Sequence, residues 1–185
     1  YDCMKHTLFL ISCIFMYVSA SSRNLNIALD IVQFRGNDSL TECRIVYSLP
    51  DTSLQYIPSL EGYTGSVYMK VLFVNIANKD SVIEEWIVDN VSQYPVVMHE
   101  RNLIGGRSVY MKPGNYSISI QASDMHDSLV QSSVKISLPI RGMNQKRMIM
   151  SDIMTALQID QLNDSTRTLW SNQLQRNGLL LIPNP

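Results

Sequence analysis

The clearest structural signal in the sequence is the segment Met111-Lys112-Pro113-Gly114-Asn115-Tyr116-Ser117-Ile118-Ser119-Ile120-Gln121-Ala122. It predicts a turn at Pro113 and Gly114, followed by a strand. Because side chains alternate along a strand, the even-numbered residues from Tyr116 to Ala122 should be buried, and Ser117, Ser119 and Gln121 should face outward. A tyrosine directly after such a turn is typical of the tyrosine corner of immunoglobulin-like sandwiches, in which the hydroxyl bonds to backbone a few residues upstream.

Short apolar or alternating segments, separated by turn signals, recur outward from this segment along the chain. The expected strands lie at 25–31, 43–49, 67–76, 82–88, 96–103, 107–111, 116–123 and 130–138. Gly105 and Gly106 interrupt the pattern after the weaker 96–103 segment, and Pro139 should end the last strand. This series predicts an all-β, immunoglobulin- or fibronectin-III-like antiparallel β-sandwich. Residues 148–159 fit either a helix or a strand, and the surrounding β pattern favours the strand.

The N-terminal sequence has the three-part form of a secretory signal peptide. A basic start at Met4-Lys5-His6 precedes the apolar run 8–18, and small residues at Ser19 and Ala20 allow cleavage. We therefore predict a signal peptide at 4–20, a sandwich domain at 21–160 and a C-terminal extension or linker at 161–185. Lipidation of Cys13 is the alternative to cleavage after Ala20. Either route predicts export to the periplasm, the outer membrane or the extracellular space.

Composition limits the partners that the chain can have. The formal net charge is −1, which argues against nucleic acid and against electrostatic docking on anionic lipid. The apolar run at 8–18 is too short to span a bilayer, so no stable membrane insertion is expected after cleavage. Beyond the predicted signal peptide the only cysteine is Cys43. It alternates with apolar residues, which predicts a buried side chain and no intramolecular disulfide.

No combination of residues in the sequence predicts a reaction. Asp124, His126 and Asp127 are close enough to touch a metal, but these residue types are also ordinary at a hairpin tip. No nucleophile-elbow or phosphate-loop motif occurs. The sequence therefore predicts a non-enzymatic protein without a cofactor or a metal.

The remaining candidates for ligand contact are aromatic residues in or near the less regular segments. They are Tyr56, Tyr63, Trp86 and Tyr94. A sugar or a peptide could stack on them. The competing interpretation, that Trp86 and most of the tyrosines fill the sandwich core, agrees with the usual burial of large aromatic side chains.

Five short motifs occur in an order that resembles a known family. They are Phe34-Arg35-Gly36, Val46-Tyr47-Ser48-Leu49-Pro50, Pro113-Gly114-x-Tyr116, Ser151-Asp152-Ile153 and Pro183-Asn184-Pro185. Together they resemble the N-terminal portion of the secreted GWxTD-domain proteins of Bacteroidetes-type bacteria, over about residues 25–185. The Gly-Trp-x-Thr-Asp motif itself is absent from this chain. The resemblance implies an exported β-rich protein of unassigned biochemical role, with no catalytic residues to carry over.

These observations favour an exported, non-enzymatic β-sandwich module with a protein-binding or structural role at the bacterial cell envelope. A carbohydrate-binding module that uses exposed aromatics is one alternative, and an N-terminal accessory domain of an exported hydrolase is another. Residues 160–185 should pack poorly. Within them, the apolar run 179–182 should either join the sandwich as an edge strand or remain available to a downstream region.

Overall fold

The computed structural model of the protein describes residues 23–37, 39–97, 101–143, 150–161, 175–176 and 179–183. The predicted signal peptide lies outside these residues. The strands in chain order are β1 (Arg23–Asn24), β2 (Ala28–Arg35), β3 (Thr41–Pro50), β4 (Ile57–Ser59), β5 (Gly62–Asn75), β6 (Ser81–Ser92), β7 (Asn102–Met111), β8 (Gly114–Asp124), β9 (Val130–Ile140), β10 (Ala156–Gln161), β11 (Gln175–Arg176) and β12 (Leu179–Pro183). A 3₁₀ turn spans Asp51–Ser53. Within the described residues, no helix has the length and apolar character needed to cross a membrane.

Two antiparallel sheets pack face to face. The larger sheet has the order β6-β5-β8-β9, with the short strands β4 and β1 added to β5 and β9. The smaller sheet has the order β2-β3-β7. This arrangement confirms the predicted all-β sandwich, and both predicted hairpins, β5–β6 and β8–β9, are present.

Alternating apolar residues on the facing surfaces of the sheets form the core. The small sheet contributes four consecutive inward-facing residues of β3, which are Cys43, Ile45, Tyr47 and Leu49. The large sheet contributes the inward-facing residues of β5 and β8, which are Val67, Met69, Val71, Phe73, Tyr116, Ile118, Ile120 and Ala122. Each fully buried aliphatic or aromatic side chain stabilises the fold by roughly 1.5–3 kcal/mol relative to an exposed one. The predicted register of the strand after Pro113-Gly114 is therefore confirmed.

The connection between β7 and β8 forms a tyrosine corner. The Tyr116 hydroxyl donates to the backbone carbonyl oxygen of Lys112 at 3.1 Å, and the tyrosine side chain is buried. The expected hydrogen bond is thus present, and it joins the end of one sheet to the start of the other across Pro113 and Gly114.

The predicted strand at 96–103, ending before two glycines, is wrong in its bounds. Strand β7 begins at Asn102 and continues through Gly105 and Gly106 to Met111. Gly105 lies against the ring of Tyr47, and a Cβ atom at this position would be 2.2 Å from the tyrosine Oη. Glycine is needed here because the Tyr47 ring occupies the space that a side chain at position 105 would fill. It is not needed for a turn, since the strand continues.

The first predicted strand is divided in two. Strand β1 pairs in parallel with β9, whereas β2 pairs antiparallel with β3 in the other sheet. Between them, Leu25 is fully buried, and Asn26 adopts a left-handed conformation with φ of 50°. Asparagine tolerates this conformation better than most residues do. The chain therefore crosses from one sheet to the other at Asn26.

Residues 150–155 pack as an extended segment against the outer face of the small sheet. The Asp152 backbone N–H donates to the Gln33 carbonyl oxygen at 2.9 Å, and its carboxylate accepts from the Gln33 N–H at 2.8 Å. Met154 packs against the buried side chains Val32, Phe34 and Val46. The strand predicted at 148–159 is confirmed only in part, since β10 begins at Ala156.

The C-terminal apolar run does not pair with the strands of the sandwich. Strand β12, Leu179–Pro183, pairs antiparallel with β10 and β11 in a separate three-stranded sheet. The expectation that this run joins the sandwich as an edge strand was therefore wrong, because its backbone pairs with β10 and β11. Its availability to a downstream region stays a prediction. Pro183 is itself the last paired residue of β12.

Candidate functional site

Three connections between strands lie at one end of the sandwich, here called the loop end. They are the β3–β5 connection (51–61), the β6–β7 connection, described at 93–97 and 101, and the β8–β9 connection (125–129). Strands β6 and β8 run antiparallel to β5 and so end where β5 begins. Strand β3 leads into the start of β5 and ends there too. Loops grouped at one end of a rigid sandwich are a common location for binding.

Asp51 joins the first of these connections to the second. Its side chain is fully buried, and its carboxylate accepts from the backbone N–H of Arg101 at 3.0 Å and from the guanidinium Nε at 3.2 Å. The Asp51 backbone N–H donates in return to the Arg101 carbonyl oxygen at 2.8 Å. These three hydrogen bonds fix the start of the β3–β5 connection against the end of the β6–β7 connection.

Asp124 joins the first connection to the third. One carboxylate oxygen accepts from the backbone N–H of Gln55 at 2.6 Å. The other accepts from the N–H groups of His126 at 2.7 Å and Asp127 at 3.3 Å. The Asp124 side chain is buried, and hydrogen bonds to an ionised carboxylate are stronger than neutral ones. The β8–β9 connection is therefore folded around this carboxylate and held against the residues before β4.

The loop end also exposes large apolar side chains from all three connections. Ile57 and Leu60 come from the first, Tyr94 and Val96 from the second, and Met125 and Leu129 from the third. Leu60, with an exposed fraction of 107%, is completely accessible. Apolar side chains that are grouped on a surface and held in fixed geometry mark an interaction site more often than isolated ones do.

Three of the four aromatic candidates from the sequence lie at this end. Tyr94 is largely exposed, at 69%, and Tyr63 on β5 is half-buried. Tyr56 packs against Gly65, and its hydroxyl accepts from the Asn90 side-chain amide at 2.6 Å. Burial raises the pKa of Tyr56, and the hydrogen bond from Asn90 acts in the opposite direction. Tyr56 therefore supports the loops more than it presents a free ring.

Trp86 lies elsewhere, on the inward face of β6. It packs against buried side chains of the core, and the centroid of its ring lies 6.0 Å from the centroid of the Tyr47 ring, at an interplanar angle of 38°. Its indole nitrogen is completely buried. Trp86 is therefore a partly buried side chain packed against the core, and the four aromatics do not form one ligand-binding surface.

The role of the two buried aspartates in attaching the loops to each other was not visible in the sequence, where Asp124 stood out only as a possible metal ligand. Asp51 follows Pro50 at a strand end and Asp124 starts a hairpin tip, so both have the appearance of ordinary turn residues. Their partners are 50 and 69 positions away in the chain. The apolar residues Leu60, Met125 and Leu129, which stand among polar turn residues, were the signal available at this end.

Cys43 and the segment with Asp124, His126 and Asp127 are the reactive groups named from the sequence. Burial, with smaller contributions from the Asp152 and Glu42 carboxylates, raises the pKa of Cys43 to about 12. The thiol is therefore protonated at neutral pH and cannot act as a nucleophile. Among the described residues, no three His, Cys, Asp or Glu side chains converge as a metal site requires.

A pocket of about 330 Å³ lies at the opposite end, here called the turn end. It is lined by the β5–β6 turn and by the tyrosine corner, with Asn75, Asp80 and Lys112 among its polar residues. The Asn75 side chain accepts from the backbone of its own turn at 2.9 Å, and Asp80 accepts from Asn78 at 2.7 Å. Since these polar groups already stabilise the turn, the loop end is the stronger candidate.

Comparisons with protein-family models, with curated proteins and with solved structures yield no match for this chain.

Proposed function

We propose that this chain is an exported, non-enzymatic β-sandwich module that binds a protein partner through its loop end at the bacterial cell envelope. The observation that carries the proposal is the attachment of three connections to each other by two buried carboxylates, Asp51 and Asp124. Such attachment lowers the entropy cost of binding, because the attached residues of each connection do not have to be ordered by the partner.

The exposed residues at this end suit a protein surface with an apolar centre. Leu60, Tyr94 and Leu129 together represent all three connections. Aromatic and aliphatic residues of this kind supply most of the binding energy in protein interfaces, while the surrounding polar residues exclude water. Export is the part of the proposal that rests on the signal-peptide pattern at residues 4–20.

Site-specific photo-cross-linking in the native host tests the proposal. A cross-linking amino acid is placed at Leu60, Tyr94 or Leu129 in the full chain, and at Ile76 as the matched control. Ile76 is also half-exposed but belongs to the turn end. We expect the three loop positions to capture the same protein and Ile76 not to capture it. Equal capture from all four positions, or different proteins from each, would contradict a loop-end site.

Carbohydrate binding remains the second candidate, because Tyr94 is exposed and Tyr63 is half-buried at the same end. The position of Trp86 in the core weakens it, since the largest predicted stacking surface is removed. A glycan array with the purified protein separates the two functions. Glycan binding that is lost in Tyr94→Ala and kept in Ile76→Ala would favour the carbohydrate-binding function.

A further inference from the structure

Strand β6 is a long, regular strand at the edge of the large sheet. It pairs with β5 over Ser81–Ser92 without a register shift, and no other strand of the described residues pairs with its second side. Its sequence has no proline and no glycine to disturb its geometry. A strand of this length presents a row of unpaired N–H and C=O groups, which is a template for pairing with another strand.

The opposite edge of the large sheet, β9, is covered at both of its ends, by β1 at Val130 and Gln131 and by the Gln33 side chain near Pro139. The Gln33 side-chain amide donates to the Pro139 carbonyl oxygen at 3.0 Å and accepts from the Arg141 N–H at 2.9 Å. The Gln33 side chain therefore satisfies the hydrogen-bonding capacity of the backbone at the end of β9. Asp152 does the same for the backbone N–H and carbonyl oxygen of Gln33 on β2. The β6 edge carries no equivalent contact among the described residues.

Apolar and acidic residues alternate on the outward face of β6. Ile83, Ile87 and Val91 are exposed there, with Glu85 and Asp89 between them. The strand carries three acidic residues and no basic residue. The third, Glu84, points to the inner face and pairs with Arg107 at 3.2 Å. An unpaired charge on the inner face of an edge strand can prevent another strand from pairing with it. Because the charge of Glu84 is paired, it does not have this effect.

A second copy of the chain does not fit this edge. An antiparallel pair of β6 strands centred on Glu85 places Glu85 against itself, and one centred on Ile87 places Glu85 against Asp89. Like charges directly opposite each other destabilise a sheet. A pair centred on Trp86 places Ile83 opposite Asp89 and Ile87 opposite Glu85, which leaves both isoleucines beside a charge.

We propose that β6 accepts an added antiparallel strand from a different protein, in which apolar residues alternate with Lys or Arg. Basic residues would lie opposite Glu85 and Asp89, and apolar residues opposite Ile83 and Ile87. Glu85 is now paired with Lys70 at 2.8 Å, and this ion pair is solvent-exposed. Exposed ion pairs contribute little to stability, so Glu85 can exchange Lys70 for a basic residue of the partner at little cost in free energy.

The test uses the full chain and two synthetic peptides. The probe peptide has valine opposite Ile83, Ile87 and Val91, lysine opposite Glu85 and Asp89, and threonine between them. The control peptide has glutamate in place of lysine. Binding is followed by NMR chemical shifts and by amide hydrogen exchange along β6. We expect the lysine peptide to bind roughly tenfold more tightly than the glutamate peptide. It should also slow the hydrogen exchange of the β6 amides whose N–H groups point to the free edge of the sheet.

Charge reversal provides the matched variant. In the Glu85→Lys/Asp89→Lys protein, the preference should invert in favour of the glutamate peptide. The control Ser137→Lys, at an exposed position of β9, should leave the preference unchanged. In the unaltered protein, added salt should weaken binding of the lysine peptide. Equal binding of both peptides, no binding, or shift changes confined to the loop end would overturn the proposal. The loop-end function does not depend on this result, because its cross-linking positions lie outside β6.

Discussion

The tyrosine corner and the β5–β6 turn are each stabilised internally by contacts between residues close in sequence, whereas the connections of the loop end are attached to one another by contacts between distant residues. At the turn end, the Tyr116 hydroxyl reaches a carbonyl oxygen only 4 positions away, and Lys79 and Ala77 donate to Asn75 within one turn. At the loop end, Asp51 and Asp124 bind backbone groups that are 50 and 69 positions away. Contacts within a turn can form before the fold is complete, whereas the loop end exists only once both sheets are in place.

The difference assigns separate roles to the two ends. The turn end fixes the register of the hairpins and the crossing between the sheets. The loop end depends on that frame and displays exposed apolar residues, so its geometry is the property that a binding partner would recognise.

Replacement of Asp124 should have the largest effect on stability. Asp124→Ala leaves the N–H groups of Gln55, His126 and Asp127 without their acceptor. We expect a loss of about 3 kcal/mol in the free energy of unfolding. Urea denaturation measures the loss, and Asp124→Asn, which keeps one acceptor oxygen, should cost less. A loss in Asp124→Ala no greater than in Tyr116→Phe would remove the distinction between the two ends.

Replacement of Asp51 should cost somewhat less. Asp51→Ala removes two hydrogen bonds from Arg101, but the Arg101 side chain is 65% exposed and regains water. We expect a loss of about 2 kcal/mol. Hydrogen exchange should show faster exchange at Arg101 and unchanged protection in β8. Faster exchange throughout the core would mean that Asp51 supports the whole sandwich and not one loop.

The tyrosine corner should contribute one ordinary hydrogen bond. Tyr116→Phe keeps the buried ring and removes only the bond to the Lys112 carbonyl oxygen. The expected loss is about 1 kcal/mol. Amide hydrogen exchange at Gln55 and His126 should match that of the unaltered protein, because these residues lie at the loop end and Tyr116 lies at the turn end. Altered exchange at those amides would show that the two ends are coupled.

Removal of the C-terminal strand should have the smallest effect. Deletion of residues 176–185 eliminates β12, which pairs with β10 and β11 but not with the sandwich. The melting temperature of the sandwich should change by less than about 5 °C. Differential scanning calorimetry checks this, and a larger decrease would place β12 within the cooperative unit of the core.

The parts of the fold that local pattern determines were predictable from the sequence. Alternation from Tyr116 to Ala122 gave the burial of every residue in that segment, and the turn before it gave the tyrosine corner. Gly105 misled the prediction because a glycine under a tyrosine ring has the same appearance in sequence as a glycine in a turn. The division of the first strand at Asn26 is set by β9, which lies more than a hundred positions later.

The candidate site was less predictable for the same reason. A pattern within a short window cannot show that the Asp124 carboxylate faces Gln55, or that Asp51 faces Arg101. The aromatic residues were identified by type alone, and burial then separated Trp86 from Tyr94. The acidic alternation of β6 was visible in the sequence, but its position at a free edge depends on the sheet order.

The crossing at Asn26 also bears on how the sandwich would respond to mechanical force. Strand β1 enters the sandwich at the loop end, and β9 leaves it at the turn end. Tension between these two points acts parallel to the strands. The hydrogen bonds between β2 and β3 are then sheared, and all of them bear the force at the same time. Sequential rupture, one bond at a time, would require a pull across the strands. A module tethered at both of these points would therefore resist extension with its whole ladder of bonds.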